Sequence, residues 1–163
     1  MTEVLLIRGR LARRVREEAE KYGLSVEEYL VELLSQGLDP KDKALEYVKA
    51  AEDLLEEARE ELGKGNVRQA AEKLWGAAAL AVKAYAYLRE GKRLTSHGEL
   101  WEHMRLMARE VGRWVRGAWM YANGMHTCFY EGWCAREDVE DAIENIERLV
   151  KEVASLVMKS PKD

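Results

Sequence analysis

Proline occurs only at positions 40 and 161, so 120 residues run between them without an obligatory helix breaker. The residues filling that stretch suit helices. The chain holds 20 Ala, 24 Glu, 20 Leu and 26 Lys and Arg, against only 19 Val, Ile and Thr together. This predicts an all-α fold and excludes a β-sandwich, a doubly wound α/β domain and a collagen-like or disordered chain. At 163 residues, one or at most two small domains can each bury a core.

Apolar periodicity places the helices. Leu11, Val15 and Ala19 mark a first helix at 10–22, which Gly23 ends. Ser25 and Glu28 form a capping box for a second helix to about residue 36. Gly37-Leu38-Asp39-Pro40 is the clearest break, with Asp39 as N-cap and Pro40 at the first helical position. It separates an N-terminal two-helix arm, 1–38, with a short strand at 3–8 as one option, from a helical body at 39–163.

In the body, Ala44, Val48, Ala51, Leu55, Ala58 and Leu62 line one face of a helix at 40–62. Gly63-Lys64-Gly65 turns the chain, and Asn66 is the expected cap of a helix at 67–89. That helix is rich in small residues (Ala70, Ala71, Gly76 to Ala79, Ala81, Ala84), which places it at the centre. Ser96 and Glu99 open a helix to about Val111. Residues 113–131 form an irregular one, weakened by Gly117 and Gly124 and broken at Gly132. Val139, Ile143, Ile146, Val150, Val153 and Val157 share a face of the last helix, 136–158. Short connections between such helices imply an antiparallel bundle.

The net charge of −4 hides four blocks: +2 over 1–24, −7 over 25–66, +5 over 67–118 and −4 over 119–163. Oppositely charged helices packing side by side would explain them, and so would a basic stripe that binds phosphate. No run of 18 apolar residues can span a bilayer, and the first residues lack the pattern of a secretory signal. Asn and Gln number only five while 34% of residues are charged, as in proteins from hot environments. A cytoplasmic location is expected, with no membrane partner.

Cys128 and Cys134 make no disulfide framework. On a continuous helix they stand about 9 Å apart along the axis, too far to bond, whereas a break at Gly132 would change that. The spacing of His126, Cys128 and Cys134 matches no zinc pattern. No metal or other cofactor is expected.

The stretch Gly65-Asn66-Val67-Arg68-Gln69-Ala70-Ala71-Glu72-Lys73-Leu74-Trp75-Gly76-Ala77-Ala78 resembles the second core helix of HEPN (higher eukaryote and prokaryote nucleotide-binding) domains. Met125-His126-Thr127-Cys128-Phe129-Tyr130-Glu131-Gly132, followed by an acidic amphipathic helix, is similar to the archaeal PaREP family within that superfamily. The opening Gly23-Leu24-Ser25-Val26-Glu27-Glu28-Tyr29-Leu30 fits the same family. The resemblance implies an antiparallel HEPN-like bundle, a homodimer, and a nucleotide or RNA as ligand, with a protein partner as the other option. Many HEPN relatives are metal-independent ribonucleases with Arg and His four to six residues apart. Here the positions preceding His126 at that spacing are Tyr121, Met120 and Trp119, so the ribonuclease pattern is absent.

The candidate ligand-binding residues are Arg113 and Arg116 for phosphate, Asn123 and His126 for hydrogen bonds, and Tyr130 for stacking. If any residue is catalytic, it is His126, paired with an Arg of either subunit in a divergent ribonuclease. Trp75, Trp101, Trp114, Trp119 and Trp133 beside Arg105, Arg109, Arg113 and Arg116 could stack bases within a basic groove; the plainer alternative is that the tryptophans fill core or interface and that His126 and Asn123 satisfy polar contacts in an aromatic packing surface. A strand at 3–8 followed by helices at 10–22 and 25–36 also looks like a ribbon-helix-helix DNA-binding unit, the alternative being two helices docked on the body.

Overall fold

The computed structural model describes residues 3–161. Among them the chain forms seven helices and no strand: α1 Gly9–Lys21, α2 Val26–Leu34, α3 Pro40–Gly63, α4 Val67–Glu90, α5 His97–Glu110, α6 Trp114–Glu131 and α7 Arg136–Lys159. The fold is therefore all-α. Residues 3–8 take no regular structure, because a lone extended segment has no neighbour to complete a ladder. The chain divides into two compact units, Met1–Gln36 and Gly37–Asp163.

In the first unit α1 and α2 form a helical hairpin across the Gly23 turn, where φ is +68°. Tyr22 and Tyr29 stack across it with ring centroids 6.4 Å apart. Ser25 caps α2 by accepting from the Glu28 N–H at 3.1 Å.

The second unit is built on α4. It packs against α3, α5, α6 and α7, while α3 and α6 also meet α7. Its alanines explain this position. Ala70, Ala71, Ala77, Ala78, Ala81, Ala84 and Ala86 are all fully buried, so four neighbours approach one backbone. Gly76 marks the tightest place: a Cβ there would stand 3.1 Å from Leu54 Cδ1 of α3. Leu74, Leu80, Ile146 and Leu149 fill the space beside this small-residue column.

The helix ends follow the capping residues with one exception. Asp39 accepts from the Asp42 N–H at 2.9 Å, and Ser96 from the Glu99 N–H at 3.2 Å, while the Glu99 carboxylate returns to the Thr95 N–H at 2.8 Å. Asn66 makes no side-chain cap. Its amide instead donates to Glu61 at 2.8 Å, tying the α3–α4 turn together. The glycines of α6 do not interrupt it either. Val115, Ala118, Trp119, Ala122, Met125 and Cys128 bury one complete face, and that packing overrides the weak propensity of Gly117 and Gly124.

Candidate functional site

The candidate residues lie along α6 and at its start. Arg113 is the residue preceding the helix and Arg116 lies in its first turn. Arg109, in the last turn of α5, comes alongside because the chain turns at Gly112, whose φ is +154°. Arg109, Arg113 and Arg116, with Ala108, line a cleft of about 360 Å³. All three arginines are exposed, and none makes an ion pair among the described residues. Other arginines are neutralised: Arg59 meets Glu147 at 2.6 Å, and Arg136 meets Glu140 at 2.9 Å.

The acid closest in sequence, Glu110, is committed elsewhere. It accepts two bonds from Arg89, both 2.8 Å, and another from the Tyr85 hydroxyl. The Arg89 and Tyr85 bonds, reinforced by the positive charges of Arg89 and Arg109, hold its carboxyl below the usual carboxylate range. Burial and the adjacent Glu110 push the Tyr85 phenol well above its ordinary value. Three like charges thus share a concave surface where the C-terminus of α5 meets the N-terminus of α6, an arrangement suited to a multivalent anion. Trp114 is no stacking platform for such a ligand, because Arg148 already covers its ring at 4.0 Å.

His126 belongs to a second cluster near the other end of α6. Its imidazole stacks on Trp75 of α4 at 4.6 Å and meets Tyr130 edge-on at 5.2 Å. His97, the first residue of α5, stacks on the same indole at 5.6 Å and lies 5.9 Å from His126. Burial, reinforced by His97, lowers the His126 pKa, so the ring is neutral at neutral pH. Glu72 stands 3.6 Å from its Nδ1, which against a neutral ring is a contact and not an ion pair. Asn123 spends one amide hydrogen on the Trp119 carbonyl of its own helix, at 2.8 Å.

The five candidate residues therefore form two groups. Arg113 and Arg116 lie at one end of α6, and His126 and Tyr130 are in contact near the other. Asn123 lies between the groups, turned back on the helix. Ten residues of unbroken helix put Arg116 about 15 Å from His126 along the axis. Arg109 and His97 complete the two groups. Arg109 shares a four-then-three spacing with Arg113 and Arg116, a signal that the break at Gly112 obscures. His97 has no local signal, since its contact with His126 comes from the packing of α5 and α6 on α4.

The end of α6 is held by two devices. Gly132, at φ +71°, lets the chain turn back, and Cys128 and Cys134 are joined in a disulfide with Cα atoms 5.6 Å apart. The break at Gly132 is what brings together cysteines that a continuous helix would separate, and bonded sulfurs are not thiolate ligands. From α4, Arg68 donates to the carbonyls of Phe129 (3.0 and 2.7 Å) and Tyr130 (3.2 Å), capping α6 with a positive charge. Among the described residues no helix is long and apolar enough to cross a membrane.

Comparison with known proteins is consistent with this architecture. A crystal structure of a protein from Sulfolobus solfataricus superimposes with a TM-score of 0.59 and 26% identity, over 67% of this chain and 96% of that one. No curated protein matches the sequence significantly. The profile of the archaeal PaREP1/PaREP8 family matches residues 46–150, which span α4, α5 and α6 entirely and most of α3 and α7. The chain belongs to the archaeal PaREP1/PaREP8 family.

Proposed function

We propose that this protein is a HEPN-like binding module whose cleft of Arg109, Arg113 and Arg116 takes the phosphates of RNA or of a nucleotide. The observation that carries the reading is that three exposed arginines line one cleft and none of them makes an ion pair within 4 Å among the described residues. Like charges held together repel, so the arrangement is stabilised when a ligand supplies the missing negative charge. Guanidinium also matches phosphate oxygens in bidentate geometry, which lysine does not. The cluster lies in the basic 67–118 block, which favours an anion. The resemblance of the 65–78 stretch to the second core helix of HEPN domains supports the nucleotide or RNA class. An intracellular setting accommodates the disulfide, since intracellular proteins of hyperthermophilic archaea carry such bonds.

Titration of a labelled single-stranded RNA and a labelled nucleoside triphosphate at low salt tests the reading. Binding of either, lost in the Arg113→Ala/Arg116→Ala variant, is the expected result. No binding by the wild type, or equal binding by the variant, contradicts it.

A second reading is a divergent metal-independent ribonuclease. It is favoured by the 5.9 Å separation of His97 and His126, which gives one site two groups able to exchange protons. Its test is RNA cleavage by wild type, His126→Ala and His97→Ala. Equal rates in all three remove it.

A further inference from the structure

Along α6 the positive charge stops abruptly. Arg109, Arg113 and Arg116 line one concavity of about 360 Å³, and no Lys or Arg follows Arg116 until Arg136. The next large exposed side chains on the helix are Met120 and Tyr121, which bring no charge to a phosphate. On the α5 side, Arg105 lies outside the lining, 5.8 Å from the ring of Trp101. A protein that tracks a single strand presents a basic groove over several nucleotides, with aromatic rings on which successive bases stack. This cleft is lined by three arginines and Ala108, with no ring among them, and Trp114 is covered by Arg148. Guanidinium donates hydrogen bonds and accepts none. The lining side chains therefore hold no acceptor for the amino group of adenine, guanine or cytosine.

We propose that the cleft takes a terminal polyphosphate, on a free nucleotide or on the 5′ end of an RNA, and selects it by charge density with no preference among bases. The inference rests on the phosphate reading above and narrows it from any phosphate to a phosphate end. An internal phosphodiester brings one negative charge and two free oxygens. A terminal phosphate brings about −1.5 to −2 and three acceptor oxygens, and in a triphosphate further charged groups stand directly beside it. Guanidinium groups gathered around one concavity match that density, since each finds a pair of oxygens of its own. Along a chain of phosphodiesters the sugars space the charges, and part of the cluster stays unpaired.

The test uses a 3′-labelled single-stranded RNA of one sequence, carrying either a 5′-triphosphate or a 5′-hydroxyl, titrated without divalent cations. The triphosphorylated RNA is expected to bind about tenfold or more tightly. Inorganic tripolyphosphate and each of the four nucleoside triphosphates should displace it at concentrations within about threefold of one another, because nothing in the lining reads a base. Where the RNA body adds affinity over a nucleoside triphosphate the ligand is an RNA end, and where it adds none the ligand is a free nucleotide. Arg113→Ala/Arg116→Ala, with helical circular dichroism unchanged, should lose the preference for the triphosphate, and Arg105→Ala should keep it. Equal binding of the two RNAs by the wild type, lost in the double variant, overturns this proposal and leaves the phosphate reading standing. Binding of no RNA, nucleotide or tripolyphosphate overturns both. A nucleoside triphosphate that displaces far more strongly than tripolyphosphate, or a triphosphate preference that survives in the double variant, also overturns the proposal.

Discussion

At the scale of single residues, His126 has the most specific behaviour. Its pKa lies below the ordinary 6.5 because burial against Trp75 and proximity to His97 penalise the charged form. A histidine kept neutral by its fold contributes stability above its unfolded pKa and loses it as pH falls below about 6.5. The wild type is therefore expected to lose more thermal stability between pH 7 and pH 5 than His126→Gln. Parallel melting-temperature profiles for the two proteins would contradict this assignment. The disulfide offers a second test. Closing so short a loop stabilises by about 2 kcal/mol in the chain-entropy account, so Cys128→Ser should lower the melting temperature by several degrees. A reductant should do the same to the wild type and have no effect on the variant.

At the scale of elements, the central helix α4 states its role in its own sequence. A column of alanines with Gly76 at its middle has one physical use, close approach by neighbouring backbones, and Leu54 takes it up. A larger side chain has nowhere to go. Gly76→Val is expected to cost about 1–3 kcal/mol through overpacking, measured by denaturant unfolding, while Gly117→Ala, which faces open space on α6, should be neutral or stabilising. The helix limits were legible for the same local reasons, in Gly23, Asp39-Pro40, Ser96 and Gly132. Where local reading went astray, a longer-range contact had prevailed. Asn66 pairs with Glu61 and leaves the α4 end uncapped, and the buried face around Trp119 keeps α6 continuous through two glycines. The candidate site was legible only in part. Arg109, Arg113 and Arg116 announce themselves as a basic run, but Arg105 does not line their cleft, and His97 reaches His126 only through tertiary packing.

At the scale of the whole molecule, the charge blocks acquire a spatial meaning. Acidic α3 and α7 engage some basic side chains through pairs such as Arg59–Glu147, Lys73–Glu57 and Lys151–Glu147. Arg109, Arg113 and Arg116, which make no ion pair among the described residues, lie where α5 meets α6. Residual charge on a bundle surface is ordinary, whereas three arginines around one concavity of about 360 Å³ are the basis of the proposed phosphate site. Phosphate contacts also leave a thermodynamic signature that packing residues do not, since each one releases counterions from a single strand with a salt slope of about −0.7.

The most direct measurement is fluorescence anisotropy of a labelled single-stranded RNA, titrated with protein over a range of salt concentrations. Wild type should show a dissociation constant rising with salt at a logarithmic slope of about 2, for three contacted phosphates. Arg113→Ala and Arg116→Ala should each weaken binding about tenfold or more and reduce the slope by about 0.7. His126→Gln should leave the slope unchanged. An arginine variant that binds as tightly as wild type, with the same salt dependence, would contradict the assignment of this cleft to phosphate.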